Sequence, residues 1–135
     1  MNWNGRKVLI TGGASFIGSH LTDALVERGA VVTVVDDLSS GRKENIQGHL
    51  DTGRIELIQG DLQDQTVIRK AIEGASTVFH LAADHGGRGY VDLHQAACAT
   101  NLALDACLFL ACRDAGVEKI VYASSGCVYP NFKQT

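Results

Sequence analysis

The sequence contains little proline, few aromatic residues and no excess of positive charge. Its 135 residues include 1 proline, 6% aromatic residues and a formal net charge of −3. We do not expect such a chain to bind nucleic acid or an anionic membrane, because polyanions attract basic surfaces. No uninterrupted apolar run reaches the roughly 20 residues that span a bilayer, and the N-terminus has no secretory pattern. We therefore expect a cytoplasmic protein without a membrane partner.

The four cysteines form no Cys-x-x-Cys pair. Cys98, Cys107 and Cys112 fall in one helical stretch, and Cys127 lies near the end of the chain. This usage favours reduced thiols over a disulfide framework. His94 is four residues before Cys98 and could share its helix face, but two ligands do not make a zinc site. We predict no metal site.

Apolar, strand-like runs alternate with helix-like stretches along the chain. The predicted strands are residues 7–11, 31–36, 55–58, 77–81 and 119–123, and the clearest helices are 16–28 and 92–115. The strands are continuous apolar runs, which indicates burial on both faces. We predict an α/β fold: a doubly wound parallel sheet of Rossmann type, with α/β/α layers and about five strands. A sixth strand is usual, so residues 1–135 are expected to be a fragment comprising one dinucleotide-binding domain.

The first strand leads into a helix through a glycine-containing turn, T-G-G-A-S-F-I-G at residues 11–18. Gly12 permits the tight turn and Gly18 lets the helix pack closely on the sheet. Amide groups at the helix start then face a pyrophosphate. Asp36 ends the second strand, where a carboxylate binds the ribose hydroxyls of NAD and repels the 2′-phosphate of NADP. The alternatives are a turn without a ligand and a capping role for Asp36.

Two further acidic residues follow predicted strands. Asp61 lies after the third strand, where an adenine amino group could be met, or it caps a helix beginning near Gln63. Asp37 is more plausible than Asp36 as a loop cap.

Five sequence blocks occur in the order typical of the extended short-chain dehydrogenases. They are T-G-G-A-S-F-I-G from residue 11, D-D-L-S-S-G from 36, G-D-L from 60, H-L-A-A from 80 and Y-A-S-S-G-C-V-Y from 122. Over essentially its whole length, the chain resembles the NAD-dependent nucleotide-sugar epimerases and dehydratases of that family. The resemblance implies NAD as cofactor, a nucleotide-sugar substrate and a homodimer at full length.

The resemblance also implies which residues bind the cofactor. They are Gly12, Gly13, Ser15, Phe16, Ile17, Gly18, Asp36, Asp37, Leu38, Ser39, Asp61, Leu62, Leu81, Ala82, Ala83, Asn101 and Ser124. Asn101 matches an asparagine of the long helix, although an ordinary polar surface residue is the alternative. Ser15 departs from the family, which has glycine there so that the backbone approaches the pyrophosphate. Its Cβ would crowd the pyrophosphate or its hydroxyl would bind a phosphate oxygen, and we favour crowding.

The catalytic residues implied by the resemblance follow the fifth strand. Ser125 matches a family serine that orients a sugar oxygen. A narrower resemblance, to the GDP-mannose 3,5-epimerases, implies acid/base catalysis by Cys127 and substrate contacts from Gly89, Ser125, Gly126 and Cys127. Those enzymes oxidise C4, epimerise C3 and C5 and return the hydride. The alternatives are that Cys127 is a small buried hydrophobe and that the serines satisfy backbone groups.

The family's catalytic Tyr-x-x-x-Lys pair lies on a later helix. The string at residues 129–133 has this spacing, but its tyrosine belongs to the serine block. We therefore expect the chain alone to be inactive. The alternatives within the family are a nucleotide-sugar 4-epimerase and a 4,6-dehydratase. An alternative of another class is a non-catalytic dinucleotide-binding regulatory module, which Ser15 and the missing pair favour.

Overall fold

A computed structural model describes residues 2–125, in which a five-stranded parallel sheet lies between two layers of helices. In chain order the elements are β1 (Lys7–Thr11), α1 (Phe16–Glu27), β2 (Val31–Asp36), a 3-10 turn (Lys43–Ile46), α2 (Gln47–Asp51), β3 (Ile55–Gln59), α3 (Gln65–Ile72), β4 (Thr77–His80), α4 (Arg88–Leu93), α5 (Gln95–Asp114) and β5 (Lys119–Tyr122).

The strand order is β3-β2-β1-β4-β5, and every neighbouring pair is parallel. The chain builds one half of the sheet outward from β1 and then returns to its other side with β4. Ligands of open α/β sheets bind at such a reversal, beyond the carboxyl ends of the strands. The predicted fold class is confirmed, and a ligand site is expected at the reversal between β1 and β4.

Apolar residues fill the space on both faces of the sheet. In β1, Leu9 packs with α3 and α5, whereas its neighbours Val8 and Ile10 pack with α1 and the segment around Ile46. The three β1 side chains and that of Ile46 are each at most 1% exposed. Successive residues of a strand point to opposite faces, so two covered faces require a continuous apolar run. This is the reason why β1 and β2 show no alternation of polar and apolar residues.

The helices differ from the predicted ones in two places. Residues 92–115, predicted as one helix, comprise the end of α4 and all of α5. His94 separates the two helices, because its φ of −126° and ψ of 40° lie outside the helical region. The 3-10 turn and α2, at residues 43–51, were not predicted, because a short polar segment with an internal glycine has little helical periodicity.

α5 is long and apolar enough to cross a membrane when judged by length and composition alone. The prediction that no uninterrupted apolar run reaches that length is a different statement, because polar residues such as Asn101 and Asp105 interrupt α5. In the fold, α5 packs on the sheet through the buried Leu108 and Cys112. Its outer face is apolar and open, with Leu102 75% exposed.

The three described cysteines all lie in α5 and are free thiols. Burial raises the pKa of Cys112 to about 11, so this side chain stays a neutral thiol and fills the core. Among residues 2–125, no three His, Cys, Asp or Glu side chains are grouped closely enough to hold a metal ion.

Candidate functional site

A cavity of about 570 Å³ opens at the carboxyl ends of the strands, where the strand order reverses. Many of the predicted cofactor residues line it: Gly12, Ser15, Asp36, Asp37, Ser39, Asp61, Leu62, Leu81, Ala82, Ala83 and Asn101. The fold thus brings together segments that are up to 89 residues apart in the sequence, from Gly12 to Asn101.

The other predicted residues within the described part of the chain do not line this cavity. Phe16 and Ile17 lie on the first turn of α1 and are 77% and 67% exposed. Gly13 is buried against Val34, and Leu38 is packed beside the core. Gly18 lies in α1, Gly89 lies in α4, and Ser124 and Ser125 lie in the exposed stretch after β5. Gly126 and Cys127 lie outside the described residues.

The turn after β1 is built on two close backbone approaches. Gly12 has a φ of +69°, and a Cβ built there would lie 3.0 Å from the backbone nitrogen of Ala82. Gly18 has even less room, because a Cβ would overlap the carbonyl oxygen of Gly12 and lie 2.7 Å from Cα of Gly13. Side chains at Gly12 and Gly18 are therefore excluded, which leaves the backbone of the turn open toward the cavity.

Ser15 has a local role that the sequence did not predict. It is the N-cap of α1: its hydroxyl accepts a hydrogen bond from the Gly18 N–H (3.2 Å) and donates one to the Gly12 carbonyl (2.6 Å). An N-cap satisfies one of the amide groups left open at a helix start. The hydroxyl is thus already paired within the turn, while Ser15 still lines the cavity.

We expect Ser15→Gly to tighten NAD binding by about fivefold, because relief of a crowded contact is worth about 1 kcal/mol. Ser15→Ala is the matched control, since it removes the hydroxyl but keeps Cβ. It should lower the free energy of unfolding by about 1 kcal/mol without improving affinity, whereas glycine costs only a few tenths. Calorimetric titration and thermal unfolding measure both effects. Weaker binding by the glycine variant would mean that the hydroxyl contributes to phosphate binding.

Asp36 is held by backbone donors from two loops. Its Oδ2 accepts from the Ala14 N–H and its Oδ1 from the Leu38 N–H, both at 2.9 Å, and the residue is 7% exposed. Asp36 therefore does cap backbone N–H groups, which was the alternative to ribose binding. This capping leaves one further acceptor site on each carboxylate oxygen, so the two roles are compatible. Gly41 lies so close that a Cβ there would be 2.7 Å from Oδ1.

Asp61 and Asp37, the other two acidic residues with a possible capping role, accept hydrogen bonds in different turns. Asp61 accepts from the Gln63 N–H (2.8 Å) in a local turn, but α3 begins at Gln65 and its N-cap is Asp64. The helix predicted to begin near Gln63 thus begins two residues later, and Asp61 is not its N-cap. Asp37 accepts from both the backbone N–H and the hydroxyl of Ser39, as expected of a loop cap.

Asn101 holds the loop that follows β4. Its side-chain oxygen accepts from the Asp84 N–H (2.7 Å) and its amide group donates to the Asp84 carbonyl (2.8 Å). The Tyr90 hydroxyl donates to the Asp84 carboxylate (2.9 Å), which raises the pKa of Tyr90. Asn101 thus acts on the cavity wall through the loop, and it is not the ordinary surface residue of the alternative interpretation.

Several cavity residues were not predicted: Val35, Ser40, Gly60, Gln63, Asp84, His85, Tyr90, Thr100 and Leu104. Most of them are sequence neighbours of predicted residues, so the position of the same sequence blocks is also the signal for them. Asp84 and Tyr90 are joined only by the fold of a glycine-rich loop, for which the sequence has no periodic signal.

The described residues fit a dinucleotide. Gly12 leaves a cradle that a Cβ would fill, α1 begins at Phe16 directly after the cavity residue Ser15, and Asp36 lies at the end of β2. A helix start with open amide groups favours a pyrophosphate, and a carboxylate favours ribose hydroxyls.

Comparison with known proteins gives the same picture. A sequence model of the NAD dependent epimerase/dehydratase family matches residues 8–135. A UDP-glucose 4-epimerase of Mycolicibacterium smegmatis is 37% identical over 121 residues, which are 89% of this chain and 39% of that protein. A GDP-mannose 3,5-epimerase of Arabidopsis thaliana is 35% identical over 129 residues, which are 95% of this chain and 33% of that protein.

Solved structures agree with these relatives. An epimerase from Methanothermobacter thermautotrophicus superposes with a TM-score of 0.85 at 36% identity, covering 96% of this chain and 38% of that one. UDP-glucose 4-epimerase from Brucella ovis in complex with NAD gives a TM-score of 0.82 at 28% identity, covering 93% and 37%. This chain therefore spans well under half the length of the proteins it matches. At the level of the family, the expected resemblance and the expected cofactor NAD are confirmed.

Proposed function

The chain belongs to the NAD dependent epimerase/dehydratase family, and from that premise we propose that it is the NAD-binding part of a nucleotide-sugar epimerase. One observation carries the proposal: Gly12, which lies directly against the backbone of Ala82, lines the same cavity as Asp36. Bound there, NAD would supply a hydride acceptor and donor for C4 of the sugar. A cytoplasmic location and a homodimer remain predictions.

The chain's own residues bind and orient the cofactor. The turn after β1 presents backbone amide groups to the pyrophosphate, and Asp36 accepts from the adenosine ribose. The loop after β4, held by Asn101, forms the wall on which the rest of the cofactor rests. Ser124 and Ser125 follow β5, next to the loop after β4 in the strand order, where the sugar would be presented.

For the substrate we propose a sugar that is epimerised at C3 and C5, as in GDP-mannose 3,5-epimerase. The support is the resemblance of residues 82–90 and 123–134 to those enzymes, together with the Arabidopsis relative, whose match covers 95% of this chain. In this proposal Ser125 orients the sugar and Cys127 transfers a proton at C3 or C5. Gly89 and Gly126 complete the substrate contacts.

A UDP-sugar 4-epimerase is the second candidate. It is favoured by the relative at 37% identity and by solved 4-epimerase structures such as that from Brucella ovis. The two candidates differ in where protons are exchanged, because 3,5-epimerisation removes carbon-bound protons beside the oxidised C4. Exchange of the C3 or C5 proton with solvent therefore separates them.

A chimera tests the proposal. Residues 1–135 replace the matching third of the Arabidopsis 3,5-epimerase, and the chimera is incubated with GDP-mannose in deuterated water. We expect deuterium at C3 or C5 by NMR. Cys127→Ser should slow this exchange by about 100-fold or more, the usual contribution of a proton-transfer group, while NAD binding and oxidation at C4 persist. Cys98→Ser, a change of the same kind in α5, should leave the exchange rate unchanged.

The other outcomes are equally informative. Exchange at the original rate in Cys127→Ser would show that another group carries the proton. Turnover of UDP-glucose at C4 by the matching chimera with the Mycolicibacterium 4-epimerase, without turnover of GDP-mannose by the first, would establish the second candidate. Two folded chimeras that bind NAD without turnover would indicate a non-catalytic module.

A further inference from the structure

A chain of hydrogen-bonded side chains crosses the sheet directly beneath the cavity. Thr11, His80 and Tyr122 are the last residues of β1, β4 and β5, and they are paired in register across the three adjacent strands. Asp105 of α5 lies over this row. The distances are 2.6 Å from Thr11 Oγ1 to His80 Nδ1, 2.9 Å from His80 Nε2 to Asp105 Oδ1, and 2.8 Å from the Tyr122 hydroxyl to Asp105 Oδ2.

The partners fix the protonation of His80. A carboxylate only accepts hydrogen bonds, so Nε2 must carry a hydrogen toward Asp105. The Thr11 hydroxyl accepts from the Ala82 N–H (3.1 Å), which leaves its own hydrogen for His80 Nδ1. Burial lowers the pKa of His80, and its bond to Asp105 only partly opposes this shift, so the ring is neutral near neutral pH. His80 is 1% exposed, so solvent does not compete for its ring nitrogens.

The same hydroxyl holds the wall of the cofactor cavity. Thr11 Oγ1 accepts from the N–H groups of Leu81 and Ala82, both at 3.1 Å. These two residues line the cavity, and Ala82 is the residue that lies against Gly12. At the other end of the chain, the Ala123 N–H donates to the His80 carbonyl (3.1 Å), just before Ser124.

We propose that His80 is a positioning residue. As the neutral Nε2–H tautomer between Asp105 and Thr11, it orients the Thr11 hydroxyl and so sets the backbone of Leu81 and Ala82 at the distance from the glycine turn that NAD requires. Through Asp105 and Tyr122 it also ties this wall to the strand that precedes Ser124 and Ser125. The inference rests on the proposed function, since it assumes that NAD occupies this cavity.

The tautomer is measured without any ligand. In the 135-residue chain near neutral pH, ¹⁵N NMR of the imidazoles should show His80 with a protonated Nε2 and an unprotonated Nδ1. His80→Asn identifies the resonances by their loss. A protonated Nδ1 on His80, whether as the other tautomer or as imidazolium, would contradict the proposed hydrogen-bond chain.

The effect on the cavity is measured by NAD titration of matched variants. Thr11→Val keeps the shape of the side chain and removes the hydroxyl, and we expect its Kd for NAD to rise about tenfold or more, or 1.4 kcal/mol. Thr11→Ser restores the hydroxyl and should bind within about threefold of the original chain. His80→Leu should resemble Thr11→Val. If His80→Leu does not fold, the threonine pair still decides.

Different results would contradict the positioning role of His80 and the proposed NAD-binding function. NAD binding that is unchanged in folded Thr11→Val and His80→Leu would contradict the positioning role alone. Failure of Thr11→Ser to restore affinity would show that the side-chain shape, and not the hydroxyl, matters. An unsubstituted chain that binds no NAD would contradict the proposed function, and with it the role of His80 toward the cofactor.

Discussion

Gly18→Ala is expected to destabilise the fold by about 2–4 kcal/mol, although alanine is normally the better helix former. A Cβ at Gly18 would overlap the Gly12 carbonyl oxygen and lie 2.7 Å from Cα of Gly13. Both neighbours are backbone atoms of a turn confined between α1 and β2, so no flexible side chain can move aside. The midpoint of thermal unfolding should fall by roughly 10 °C.

Gly48→Ala is the matched control for this prediction. Gly48 also lies in a helix, α2, but a Cβ there meets no atom within 4 Å. Its stability should be unchanged or rise by up to about 1 kcal/mol, the difference in helix propensity. Equal thermal midpoints for the two variants would show that the turn can widen, and the close approach of α1 to the turn would then not be required by the fold.

The sequence predicted the sheet and the turn because their causes are local. β-branched runs such as residues 31–36 need no knowledge of their neighbours to indicate a buried strand. Gly12 and Gly18 are equally readable, because a tight strand-to-helix turn excludes side chains at those positions. The break between α4 and α5 could not be predicted, since the change at His94 is one of backbone angle and leaves the apolar pattern intact.

The sequence predicted the site residues that belong to the family motifs, but not those that are brought together only by contacts between distant segments. His80, Asp105 and Tyr122 are separated by 25 and 17 residues, and only the strand order β1-β4-β5 brings them to Thr11. The capping role of Ser15 was missed for another reason. The family pattern has a glycine at this position, which raises the question of space for the cofactor, whereas the observed role follows from the general preference of serine for helix starts.

Asp36 is expected to make the chain bind NAD at least about 100-fold more tightly than NADP. Ribose hydroxyls can donate to the free acceptor sites of its carboxylate, whereas a 2′-phosphate brings nearly two negative charges to the same place. A pair of unit charges about 4 Å apart near a protein surface interacts with about 4 kcal/mol, more than the 2.7 kcal/mol of a 100-fold preference. Asp36 is 7% exposed, so solvent screens this repulsion little.

Asp36→Asn tests whether the charge is the cause. The amide oxygen can accept from only one of the two backbone N–H groups, that of Ala14 or that of Leu38, so we expect some loss of stability together with the loss of the repulsion. We expect the affinity for NAD to fall by about tenfold and that for NADP to rise, which would bring the two Kd values within about tenfold of each other. Asp114→Asn removes the same charge at the far end of α5, about 20 Å along the helix from Asn101, and should leave the preference intact. If calorimetry gives comparable Kd values for NAD and NADP in the unsubstituted chain, the carboxylate of Asp36 serves only to join the loops at Ala14 and Leu38, and cofactor choice lies elsewhere in the protein.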